Sequence, residues 1–261
     1  MASAQELYVF SEPASNVPAK SISAKLMGMH VAEQKPYYKN MQRYTPSVSV
    51  GLSAKWMMSG AVSFANMHTD NMRWESAWAY AKYRFLSNDE MHSHFRMAGF
   101  ATVAYTRNNF HFDEINLAGD KDGVQLGVIA TQLWHKFALS GTVSHTQALH
   151  SSRNDKVLYN PKRMYQSMNY SLAAGYLLLP RQYTSYKQTN LNLYLEMLAQ
   201  QGLDKSVHYI DLAPALQFIF NSNTKLNLGD RWQLDGNMSR MATSHWQVTL
   251  ERTFLNALRK K

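Results

Sequence analysis

Residues 56–84 set the pattern that the rest of the chain repeats. In 56–67 Trp56, Met58, Val62 and Phe64 take one parity, and Ser59, Ala61, Ser63 and Ala65 the other. In 74–84 Ala77, Ala79, Ala81 and Tyr83 alternate with Ser76, Trp78, Tyr80, Lys82 and Arg84. A period of two is that of extended strands with two unlike faces. Each run has about the ten residues that a tilted strand needs to cross a bilayer, where a soluble sandwich uses about five or six.

The same alternation predicts strands over 21–31, 46–52, 95–105, 124–131, 137–146, 167–178, 191–197, 210–220, 226–235 and 246–254, about twelve in all. Long polar connections follow the first, fifth, seventh and eleventh strands, and very short ones follow the second, sixth and tenth. Those after the fourth (86–92) and eighth (180–189) are longer than the rule favours. Short turns at one end and long loops at the other are the asymmetry of an outer-membrane barrel. The expected fold is therefore all-β, a closed antiparallel transmembrane β-barrel of about twelve strands. An even strand number leaves both termini periplasmic. Trp56, Tyr83, Phe85, Trp134, Phe137, Phe220 and Phe254 then fall near periplasmic strand ends as an aromatic girdle. The barrel is expected over 21–256, with a basic tail over 257–261. Pro13 and Pro18 forbid a central strand in 1–20, which reads as an extended lead-in with room to tuck into the lumen.

Composition narrows the chemistry. The 261 residues include no Cys, which removes disulfides and thiolate sites. No apolar run reaches the roughly eighteen residues of a membrane helix. Met1-Ala2-Ser3-Ala4-Gln5 lacks the regions of a signal peptide, while Ala2-x-Ala4 looks like the end of a cleavage site, as in a mature form whose leader was replaced. The net charge of +9 comes from dispersed Lys and Arg. That suits an anionic surface and forms no nucleic-acid stripe. The expected partners are outer-membrane lipid including lipopolysaccharide, and other envelope proteins; no nucleic acid is expected.

The segments Ser11-Glu12-Pro13-Ala14-Ser15-Asn16-Val17-Pro18-Ala19, Tyr80-Ala81-Lys82-Tyr83-Arg84-Phe85-Leu86-Ser87-Asn88-Asp89 and Gln217-Phe218-Ile219-Phe220-Asn221-Ser222 resemble an uncharacterised outer-membrane β-barrel family of Bacteroidetes-type bacteria. Ala130-Thr131-Gln132-Leu133 and Tyr186-Lys187-Gln188-Thr189-Asn190 echo it too. The likeness implies a barrel of unassigned function with no catalytic residues. The family pattern has Tyr where this chain has Asp230, and an aromatic near Arg252.

The lumen-facing parity holds Lys25, Lys82, Arg84, Arg96, Glu196, Asp211, Arg231, Asp235 and Glu251. Mixed charges inside a barrel either pair to fix its shape or select solutes. Glu12 of the lead-in is placed to join them. Asp230 and Arg252 share the lipid-facing parity and fall nearly opposite one another, as a cross-strand ion pair at the interface or a docking contact for another protein. Met27, Met29, Met57 and Met67 share the interior parity, and thioethers suit Cu(I), although Met more commonly fills irregular space. His145 is the candidate base of a membrane hydrolase, but the expected register sets Leu126 and Tyr165 beside it rather than a Ser. No cofactor and no enzyme activity is expected. The reading that results is a passive channel for small solutes or ions. The alternatives are a non-conducting subunit of an envelope complex and, third, a lipid-active enzyme.

Overall fold

The computed structural model describes residues 7–33, 39–108, 112–149, 164–180, 182 and 188–259. Met1 to Gln5, Tyr186, Lys187 and Lys260-Lys261, which figure in the expectations above, lie outside them. Twelve strands follow in chain order: β1 Ile22–Val31, β2 Met41–Gly51, β3 Trp56–Ala65, β4 Arg73–Asp89, β5 Ser93–Thr106, β6 Gly123–Trp134, β7 Phe137–Ala148, β8 Gln166–Leu179, β9 Asn190–Gly202, β10 His208–Phe220, β11 Thr224–Gly236 and β12 Ser244–Phe254. Each pairs antiparallel with the next, and β12 returns to β1, so the sheet is closed and has no free edge.

Alternation decides what faces out. A single ladder row starts at Trp134 and Phe137 and passes through Tyr176, Leu193, Leu216 and Leu228. It continues through Val248 and Gly28 to Tyr44, Phe64 and Trp74. Because strands in a barrel tilt by about 35–45°, a row perpendicular to them climbs the wall. This one rises from aromatics at the short-turn end to aromatics at the long-loop end, with aliphatic residues between. That is an apolar band with two girdles. At the short-turn end Trp56 stacks on Tyr83 with ring centroids 4.7 Å apart, and Trp134 on Phe137 at 6.1 Å.

The structure lengthens several expected strands, and two of these extensions reshape the lumen. β2 begins at Met41, five residues before the alternation is obvious, and so brings Arg43 inside. β4 runs on to Asp89, leaving only 90–92 as its turn, because a bulge between Arg84 and Leu86 resets the parity. A second bulge, between Ser63 and Phe64, places Glu75 and Ser76 both inside.

The lumen is filled at both ends. Residues 7–20 run inside it at the short-turn end, where Leu7 and Tyr8 pack with Ala138, Ala173, Tyr194 and Ala215. At the other end Ile115 and Leu117 of the β5–β6 loop pack with Met164, Tyr165, Val207 and Tyr209.

Candidate functional site: a chamber in the lumen

The inner segment, here the plug, has no strand partner, so its backbone must find other hydrogen bonds. The wall supplies them. Alternation along β9 turns Asn192, Tyr194 and Glu196 inward. The Glu196 carboxylate accepts from the backbone N–H groups of Val9 (2.8 Å), Phe10 (3.0 Å) and Ser11 (2.7 Å), and from the Ser11 hydroxyl (2.6 Å). Successive N–H groups turned to one anion form a nest, built here around a buried carboxylate. Lys82 donates to the Pro13 carbonyl at 2.8 Å and pairs with Glu12 at 3.4 Å. Ala14 N–H donates to Thr131 (2.9 Å), and Arg96 donates to the Ser15 hydroxyl (3.0 Å). Glycines admit the plug: a Cβ at Gly51 would lie 2.2 Å from the Pro18 carbonyl oxygen, and one at Gly229 would lie 2.6 Å from the Phe10 ring.

The cap at the long-loop end is built from charge pairs. Buried Arg43 bonds Glu75 and, at 2.5 Å, Asp120, whose same oxygen meets His68 at 2.9 Å. Asn108 donates to the second Glu75 oxygen at 2.9 Å. Burial alone pushes the Asp120 carboxyl up. The Arg43 charge and the His68 contact outweigh it and hold the carboxyl well below the ordinary carboxylate range. A second cluster joins Arg240 of the β11–β12 loop to Asp211 through two bonds of 2.7 and 2.8 Å, and to Glu114 at 3.2 Å. Arg231 also bonds Asp211, at 2.6 Å. The Gln200 amide exchanges two hydrogen bonds with the backbone of Ile115 (2.8 and 3.0 Å).

Between plug and cap lies a cavity of about 480 Å³. Leu7 to Pro13 form its floor and Glu114 to Ala118 its roof. Trp78, Tyr80 and Phe100 of β4 and β5 line one wall. Gln217, Asn227 and Arg231 of β10 and β11 line the wall half a turn of the barrel away.

The nine inward charges of the sequence reading take different places. Lys25, Arg231 and Glu251 line the cavity, and Glu251 meets Lys225 at 3.6 Å. Lys82, Arg96 and Glu196 hold the plug, and Asp211 holds the cap. Arg84 is outside the cavity lining, near Arg96 and Asp89 at the short-turn end. Asp235 is a correction. A shift in the β10–β11 register sets it opposite Ile210 on the outer parity, where its exposed carboxylate meets His208 at 3.1 Å.

Asp230 and Arg252 are a second correction. Asp230 pairs with Trp246, whereas Arg252 pairs with Thr224 and Ala24, six positions along β11 from Asp230. Instead Asp230 accepts from the N–H of Arg231 (3.0 Å), and the Arg252 guanidinium lies 5.7 Å from the Phe254 ring centroid. The four interior methionines do not converge either. Met67 and Met29 join Met41 and Met241 in an apolar cluster at the cap, Met27 lines the cavity, and Met57 sits opposite Lys82 near the plug. His145 is flanked by Leu126, as expected, and by Met168 in place of Tyr165. Among the described residues no three His, Cys, Asp or Glu side chains gather to hold a metal.

Arg43, Glu75, Glu114, Asp120 and Arg240 escape the alternation rule. Arg43 lies in a stretch that reads as a polar connection, Glu75 reaches the lumen only through a bulge, and the other three lie in loops.

No family model matches the chain, and no curated protein matches it in sequence. Solved structures share its fold. An outer-membrane channel from Pseudomonas putida F1 matches with a TM-score of 0.61 at 13% identity, over 95% of this chain and 100% of that one. The KdgM porin matches with a TM-score of 0.51 at 11% identity, over 90% and 99%. The NanC porin matches with a TM-score of 0.51 at 10% identity, over 88% and 98%.

Proposed function

We propose that this chain is an outer-membrane channel for small solutes, shut by its own N-terminal segment in the state described. The observation that carries the reading is the way the lumen is closed. The wall carries rows of hydroxyl and amide side chains beside the aromatic Trp78, Tyr80 and Phe100, and the floor is a separate segment held by hydrogen bonds, with Glu196 as the largest single attachment. A barrel whose interior served only as a core would have no need of a polar wall around a cavity of about 480 Å³. The channel and porin names of the proteins that share the fold support the same reading. So does the environment of His145, which has no Ser beside it. The apolar band and its girdles fit a bilayer with the short turns in the periplasm. Lipid, including lipopolysaccharide at the outer leaflet, is then the partner of the outer face. The sequence likeness supports a kinship with barrels of Bacteroidetes-type bacteria.

Planar-bilayer recording tests the proposal. The full chain is expected to conduct at a low level, and Glu196→Ala, which frees three backbone N–H groups, several-fold more. Equal, leak-level currents from both would overturn the channel reading in favour of a non-conducting subunit of an envelope complex.

A further inference from the structure

We propose that the chamber is a binding site for a neutral polyhydroxylated solute of one or two sugar rings. This deepens the channel reading, on which it rests for the route by which solute arrives. A volume of about 480 Å³ is within the range of small-molecule sites, roughly 300–1,000 Å³.

The wall offers hydroxyls and amides in order. One ladder row passes through Ser23, Ser59, Tyr80, Thr102, Gln125 and Thr146, climbing from plug to cap without a charged residue. Another, on the far side, joins Gln217, Asn227, Thr249, Met27 and Thr45 on successive strands. Groups that both donate and accept match alcohols, which do the same. Thr45 Oγ1 and Asn227 Oδ1 have no hydrogen-bond partner, although the residues are only 4% and 5% exposed, and both residues line the chamber. Buried polar atoms are normally satisfied, so these two mark a place in the wall where a small side-chain turn would let a bound hydroxyl pair with them.

The charges argue against an ionic solute. Of those lining the chamber, Arg231 is bonded to Asp211, Glu114 to Arg240, Glu12 to Lys82 and Glu251 to Lys225, while Lys25 stands opposite Glu251 on the ladder. Opposite charges so arranged leave little net field for an anion to follow. The aromatic wall argues against a solute that is polar all round. Trp78, Tyr80 and Phe100 line one side, with Tyr80 and Phe100 centroids 5.6 Å apart, opposite the Gln217 and Asn227 wall. A pyranose has C–H faces for the first wall and hydroxyl edges for the second. A wholly aromatic solute would strip water from the hydroxyl rows and return no hydrogen bonds.

Trp78 supplies the test. It is the one tryptophan of six that lines the chamber, the others taking outward positions. The full chain in detergent is titrated with maltose and, separately, with galacturonate, and tryptophan emission is read. A saturable change with maltose is expected, with galacturonate at least about tenfold weaker. The maltose change disappears in Trp78→Phe, and the midpoint moves roughly tenfold in Asn227→Leu, the loss of one hydrogen bond. Titrating Glu196→Ala removes any block by the plug. A flat maltose titration in both the parent chain and Glu196→Ala overturns the proposal. So does a change that persists in Trp78→Phe, or a galacturonate response as strong as that to maltose. Saturable binding without conductance would retire the channel reading and leave the site standing; conductance without binding would do the reverse.

Discussion

The plug and the cap close the same lumen by opposite means. At the plug, wall side chains grip a backbone: Glu196, Lys82 and Thr131 bond main-chain N–H and C=O groups, and the segment adds only Ser11, Glu12 and Ser15 side chains of its own. At the cap, side chains grip side chains in buried clusters around Arg43 and Arg240, and Gln200 and Lys121 bond loop backbone beside them. The backbone bonds of the plug can be exchanged for water when it leaves, at a net cost of about 1.5–3 kcal/mol for each bond to a charged group. A buried ion pair that loses one member leaves an uncompensated charge, which costs about 3–5 kcal/mol. On the proposed function the cap is therefore the end expected to stay in place, and the plug the end expected to be displaced.

Breaking the cap should have the largest effect. Glu75→Ala leaves Arg43 with Asp120 alone and is expected to lower unfolding stability by about 3 kcal/mol, read by urea titration in lipid vesicles. A loss no greater than that of Glu196→Ala would erase the distinction between the two ends.

A smaller effect on stability, with a clear effect on conduction, is expected where the plug enters. Gly51→Ala sets a methyl group against the Pro18 and Val17 carbonyls, and the hydrogen-bonded wall is the stiffer partner. The plug should shift and conductance rise, while stability falls by about 1–3 kcal/mol, the ordinary range for overpacking. Unchanged conductance would show the plug to be as fixed as the cap.

The smallest effect is expected from mild acid. The Asp120 carboxyl is held below its unfolded value of about 3.9. Its contribution to stability is therefore fully present above that pH, and is lost only as pH falls below it towards the folded value. Hydrogen exchange of the 113–121 amides, corrected for intrinsic rate, should be unchanged from pH 8 to 5 and should rise only below about 3.9. Release of the loop near pH 5 would mean that another group locks it.

The barrel was legible because half of every strand meets lipid and half meets water, and β3, β7 and β9 carry that contrast almost without interruption. The inward orientation of Lys82, Glu196 and Asp211 could be read for the same reason. What they touch could not, since their partners lie up to 187 residues away in sequence. Asp235 and Glu75 show where parity fails: one irregular position in a ladder sends Asp235 outward and brings Glu75 in. The supposed Asp230–Arg252 pair failed for a related reason. Parity gives the face of a residue but not its height, and height depends on the register between strands.

The sequence by itself determined the number of strands, the closed sheet and which face of each strand meets lipid, because these follow from local alternation and from the need to satisfy every backbone group inside a bilayer. Only the tertiary structure decided that the lumen is divided into plug, chamber and cap. That division rests on contacts between distant segments, whose pairing is set by barrel closure, bulges and buried charge.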